Sequence, residues 1–199
     1  MANNLKSFVK VNANEKTVKF IDSLIDKIND NDNDSPITAF AKAFYNNVEL
    51  GESGGVMNSW SLDNLGSKWT TLYDVQDEAE FSIESAWYPP KEFFIHLYNL
   101  CVELDENVEI EVTYEDETYS PIGAILIKKD NEGTPCMWVE EDDDIENPLE
   151  DMDWDDEEYD TKSEEFYDSI YENQQSLLAL CHELVLTDGE PILEKEEVE

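Results

Sequence analysis

The sequence predicts an α+β domain: a ferredoxin-like split βαβ sandwich with an antiparallel sheet and helices on one face, followed by an acidic extension and a last helix. Three observations predict it. Apolar residues recur at helical spacing around Val18–Ile28 and Phe93–Leu104, and each of these stretches is flanked by segments in which apolar and polar residues alternate. The element order reads β-α-(α)-β-β-α-β-β-(β), with one helix between the first and second strands and another between the third and fourth. The chain is 40% hydrophobic and 11% aromatic over 199 residues, so a packed core is available although 50 Asp and Glu against 12 Lys set the net charge at −38.

Phe8, Val9 and Val11 form a first strand ending at Asn12, and Asn12-x-x-Glu15 reads as a capping box opening a helix with Val18, Ile21, Leu24, Ile25 and Ile28 on one face. Asp30–Asp34 is a polar breaker. Ser35-Pro36 then supplies an N-cap and a first-turn proline for a second helix carrying Ile37, Phe40, Ala41 and Phe44. Gly51–Gly55 is a loop. Trp69–Val75 and Phe81–Trp87 alternate as half-buried strands around a turn at Asp77-Glu78. Pro89-Pro90 starts a helix with Phe93, Phe94, Leu97, Leu100, Cys101 and Leu104 at core spacing. Val108–Tyr114 alternates again, Ile122–Lys128 follows a loop through Pro121, and a last short strand lies around Met137–Val139 after the turn at Asp130–Gly133.

The charge is unevenly distributed. Residues 140–199 carry 25 acids against two lysines, a net of −23, which leaves −15 on residues 1–139. The densest part, residues 140–160, has fourteen carboxylates in twenty-one positions. The chain therefore divides into a body over 1–139, an acidic segment over 140–160, and a helix with its tail over 161–199. Within the segment, Asn147-Pro148-Leu149-Glu150 has the form of a helix start. Like charges at i, i+4, such as Asp151/Asp155, oppose that helix by about 0.2–0.5 kcal/mol per pair. Thr161-x-x-Glu164 opens a better helix, with Phe166, Ile170, Leu177, Leu180, Cys181 and Leu184 on one face, which is expected to pack on the body and to end at Asp188-Gly189.

A polyanion of this strength is repelled by DNA, RNA and anionic membrane, so its expected partners are basic. No window supplies the roughly 18 apolar residues of a membrane span. The expected location is the cytoplasm. Cys101, Cys136 and Cys181 are an odd set without CxxC spacing and read as buried reduced thiols. His96 and His182 each lie in a helical pattern without an HExxH or a catalytic Cys-His signature, and they read as structural or surface residues. There is no P-loop. Asp30-x-Asp32-x-Asp34 begins like a calcium loop, but Ser35 stands where the glycine is needed and Ala41 where the bidentate glutamate is needed. No catalytic residue, metal or cofactor is expected, and the chain does not read as an enzyme.

Gly66-Ser67-Lys68-Trp69 before a strand, Ser85-Ala86-Trp87-Tyr88-Pro89-Pro90 before a helix, and Val108–Tyr114 followed by acids together resemble the YubB-type ferredoxin-like domain of plasmid and phage proteins. That family's pattern runs roughly WGTKWD, TAWSPP and a strand ending in YEE. The match covers about residues 5–139, with Leu65, Thr70 and Tyr88 departing from the family's Trp, Asp and Ser. The resemblance implies a fold and a phage or plasmid origin, and no catalytic residues. Trp69, Trp87 and Pro89 read as packing and turn residues.

The function expected from these features is a DNA mimic of phage or mobile-element origin. It would occupy the basic groove of a host defence protein that binds nucleic acid, such as a CRISPR effector or restriction enzyme, without touching nucleic acid itself. The expected contact residues are Glu140, Glu141, Asp142, Asp143, Asp144, Asp151, Asp153, Trp154, Asp155, Asp156, Glu157 and Glu158, with Trp154 either an interface anchor or packed back on the body. As a helix rising about 1.5 Å per residue, the run would approach the charge density of duplex DNA. The alternatives are a solvated face, or an acidic accessory protein that binds a basic partner without blocking DNA. Monomer and homodimer are both open.

Overall fold

The computed structural model describes residues 3–30, 33–149, 152, 158–185 and 190–191. The chain runs β1 (Asn4–Asn12), α1 (Glu15–Asn29), α2 (Pro36–Phe44), α3 (Asn58–Leu65), β2 (Lys68–Asp77), β3 (Glu80–Ala86), α4 (Lys91–Val102), β4 (Glu109–Asp116), β5 (Ile122–Lys129), β6 (Pro135–Asp142), α5 (Tyr159–Leu184) and β7 (Glu190–Pro191). Six strands pair antiparallel in the order β2-β3-β1-β4-β5-β6, with two-residue β7 along the edge of β6. The molecule is thus α+β, with an antiparallel sheet and, among the described residues, five helices.

The alternation in β1 explains its place. Leu5, Ser7, Val9 and Val11 are buried on one side, while Lys6, Phe8 and Lys10 leave by the other. α1 starts two residues later than expected. Its cap is Asn14, whose Oδ1 accepts the Thr17 backbone N–H at 3.0 Å, because Asn12 is still paired in β1 opposite Glu109. α2 begins as its sequence indicates, with Ser35 at the N-cap and Pro36 in the first turn. α3 is an element that the sequence pattern does not reveal. Its eight residues NSWSLDNL lack an apolar period and a side-chain cap, and Trp60 and Leu65 fix it to the core. It stops at Gly66, whose φ of +79° suits glycine, and a Cβ there would come within 3.1 Å of the Glu92 backbone nitrogen.

The main core lies between one face of the sheet and α1–α4. Phe40, Phe44, Phe93 and Phe94 meet Phe81, Ile83, Ile110, Val112 and Ile125, and ring centroids of Phe40, Phe44 and Phe93 are 4.9–5.1 Å apart. α1–α4 share one face of the sheet, and the last helix takes the other. α5 lies on the other face, over β4–β6, where Leu178 and Cys181 pack on Ala124, Leu126, Cys136 and Trp138, and Phe166 and Ile170 pack on Ile122. The physical reason is the sequence of β5, Ile-Gly-Ala-Ile-Leu-Ile, which is apolar at odd and even positions alike and so needs cover on both sides. Each apolar side chain buried this way contributes about 1.5–3 kcal/mol. α5 begins at Tyr159 after the N-cap Glu158, so the Thr161 box lies inside the helix, and the described helix ends at Leu184. Among the described residues, no helix covers the other half of this face, over β1, β3 and β2.

Candidate interaction surface

The acidic run does not begin as a separate segment. β6 extends through Asp142, because its backbone keeps pairing with β5 whatever its side chains are: Glu140 stands opposite Ala124, Glu141 opposite Gly123 and Asp142 opposite Ile122. Glu140 and Asp142 therefore share the α5 face, and Glu141 points to the opposite one. Asp143 and Asp144 follow, exposed. Their loop is held in place: the Ser120 hydroxyl donates to the Asp143 carbonyl at 2.7 Å, the Asp144 N–H donates to Asp142 Oδ1 at 3.0 Å, and Ile145 and Leu149 pack beside Phe166, Ile170 and Tyr119. At Asn147-Pro148-Leu149 the expected helix start is a turn, in which the Leu149 N–H donates to Asn147 Oδ1 at 2.9 Å.

Glu158 caps α5, exposed and paired with Lys162 at 3.0 Å. Asp151, Asp153, Trp154, Asp155, Asp156 and Glu157 lie outside the described residues. Among the described residues, ion pairs engage Lys10, Lys19, Lys42, Lys128, Lys162 and His182, and none reaches Glu140–Asp144.

Glu141 is the exception within the strip. Its Oε2 accepts the Tyr114 hydroxyl at 2.5 Å. Tyr114 is fully buried, and burial first, then the Glu141 carboxylate, pushes its phenol well above the ordinary range. The ring lies flat over Gly123, where a Cβ would meet Tyr114 Cζ and Oη at 2.3 Å. That glycine makes room for the aromatic across the strand pair.

Features outside the expected set also reach the surface. Trp69 and Trp87, read from sequence as packing residues, are 46% and 44% exposed, with ring centroids 5.9 Å apart. Both hold left-handed backbone, at φ +56° and +65°, which is strained for bulky side chains. The Ser67 hydroxyl, donating to the Ala86 carbonyl at 2.7 Å, and the Trp87 N–H, donating to the Asn3 carbonyl at 3.0 Å, pin that geometry. Sequence alone offered no sign of it. Along the edge of α5, a cavity of about 510 Å³ runs between that helix and the strands, lined by Phe8, Lys10, Glu80, Tyr167, Tyr171 and Gln174 among others.

The titratable groups fall into distinct roles. His96 stacks on Tyr45 with centroids 4.0 Å apart and has Nε2 3.0 Å from the Phe44 carbonyl oxygen, a packing role. His182 instead meets Glu111 at 3.0 Å. Asp34, in the turn that begins like a calcium loop, pairs with Lys42 at 2.8 Å. All three cysteines are free and buried, and burial pushes Cys101 up to about 12 and Cys181 up to about 11. No helix among the described residues is long and apolar enough to cross a membrane. Comparison with known proteins finds no matching family model, no matching curated protein and no matching solved structure.

Proposed function

We propose that this protein is a DNA mimic of phage or plasmid origin, which inhibits a nucleic-acid-binding host defence protein by filling its basic groove. The observation that carries this reading is the strip from Glu140 to Asp144. Five carboxylates stand in five consecutive residues: Glu140 and Asp142, about 6.6 Å apart along β6, face the α5 side, Glu141 leaves by the other side, and Asp143 and Asp144 follow past the end of the strand. The strip is fixed by β5 pairing and by the Ser120 bond, so its carboxylates are placed before binding and little ordering entropy is lost. No lysine neutralises it among the described residues. The field of the remaining charge steers a cationic groove toward it.

The strand order β2-β3-β1-β4, with α1 and α4 on one face, supports a ferredoxin-like body to which β5, β6, the short β7 and the helices α2, α3 and α5 are added. It also suits the proposed relation to YubB-type domains. The protein would act in the host cytoplasm. A charge-reversed variant, with Glu140, Asp142, Asp143 and Asp144 changed to Lys, is the test. It should fail to capture the basic partner that the native protein captures from host lysate, and duplex DNA should displace that partner from the native protein. Capture that duplex does not disturb would favour the accessory-protein alternative.

A further inference from the structure

Glu109 and Glu111 occupy alternate positions of β4, so both carboxylates leave the sheet on the face where α5 lies. From the last turn of α5, His182 brings Nε2 to 3.0 Å from Glu111 Oε1 and 3.9 Å from Glu109 Oε1. The three donor atoms all lie within 4.8 Å of one another, and all three residues are half-buried. A tetrahedral zinc ion with bonds of about 2.0–2.1 Å spaces its ligands about 3.3–3.4 Å apart, and the two histidine separations straddle that value.

The surroundings fit as well. Glu109 uses its other oxygen, Oε2, to accept from Lys128 Nζ at 2.7 Å, while Oε1, on the histidine side, also accepts a long bond from Asn12 Nδ2 at 3.5 Å. A carboxylate held from outside while its second oxygen faces the centre is the pattern of a supported metal ligand. Two carboxylates side by side in a half-buried place repel each other unless positive charge stands between them. Lys128 compensates one, and a cation held at the site would compensate the other. Solvent has access from two sides, because Glu111 lines the cavity of about 510 Å³ and Glu109 lines another of about 600 Å³.

We propose that Glu109 Oε1, Glu111 Oε1 and His182 Nε2 form a binding site for a divalent transition metal of the zinc class, which ties the end of α5 to β4 and leaves a fourth coordination position open to water. With one nitrogen and two oxygens as donors, the site suits zinc better than the all-oxygen shells of calcium or magnesium.

The test titrates zinc chloride into the full-length protein in excess magnesium chloride, which occupies diffuse binding along the acidic surface. The chain has two histidines, and His96 serves as an internal control for ring nitrogen NMR. One equivalent of zinc should shift the His182 ring resonances, leave those of His96 unmoved and raise the melting temperature. His182→Ala and Glu111→Gln should lose the magnesium-resistant binding. Unmoved His182 resonances at saturation, undiminished zinc affinity in His182→Ala, or removal of the bound zinc by magnesium would each overturn the assignment. The NMR reading is made on the native chain, so it decides the matter even if a variant folds poorly.

Discussion

Gly123→Ala probes how the acidic strip is tied to the core. The new Cβ would stand 2.3 Å from Tyr114 Cζ and Oη and 2.7 Å from Cε1. Ordinary contact begins near 3.4 Å, so the ring must retreat by more than 1 Å. It has nowhere to go, since Tyr114 is wholly buried within the main core cluster. Overpacking of this kind costs about 1–3 kcal/mol. Retreat also pulls the hydroxyl from Glu141 Oε2, 2.5 Å away, and a hydrogen bond to a charged acceptor is worth about 1.5–3 kcal/mol. The combined expectation is a loss of about 2.5–6 kcal/mol, read by urea denaturation with an unchanged m-value. Tyr114→Phe alone should cost less, because Glu141 is exposed and water can replace the lost donor. In the double variant the two losses should be strongly non-additive, since the substitutions act on one ring. A Gly123→Ala loss below about 1 kcal/mol would refute the packing derived for this strand pair.

The thiols should be inert while the chain is folded: Cys101, Cys136 and Cys181 are buried and their ionisation is raised by burial, so a disulfide reagent should modify them slowly until denaturant is added. Fast native labelling of any of them would contradict the packing of α4 or α5. Stability should also fall at alkaline pH. Burial raises the Tyr45 and Tyr114 phenols above their unfolded value near 10, so the folded state holds protons that the unfolded state releases. The stabilisation is complete below about pH 10 and is lost as pH rises toward the folded values, which a pH series of denaturation midpoints would follow.

Local chemistry explains which parts of the fold were legible in the sequence. Ser35-Pro36, the apolar spacing of Phe93, Leu97 and Cys101, and the alternation of Ile110, Val112 and Tyr114 act through nearest neighbours, so pattern and structure agree. Asn14 took the cap from Asn12 because strand pairing with β4, nearly a hundred residues away, held Asn12. α3 has no periodic signal and exists because Trp60 and Leu65 find a place in the core. The two-sided cover of β5 was written in its unbroken apolar run, but which helix supplied the second layer was not. In the candidate site, the carboxylates were visible as composition, whereas their placement on β6 depended on backbone pairing that charge does not reveal. The strained Trp69 and Trp87 pair and the meeting of His182 with Glu111, 71 residues apart, are products of the tertiary fold alone.

The account rests most directly on whether the carboxylates of the strip make the contact. Capture from host lysate by the immobilised full-length protein and by the variant with Glu140, Asp142, Asp143 and Asp144 changed to Lys measures this. Those four acids form none of the ion pairs among the described residues, and the one bond lost, from the Asp144 N–H to Asp142 Oδ1, is offset by relief of like-charge repulsion, so the variant should melt close to the native temperature. The native protein should retain a basic partner that leaves at raised salt and that duplex DNA displaces, and the variant should retain none of it. Equal retention by a folded variant would contradict the account and leave the strip a solvated edge of the sheet.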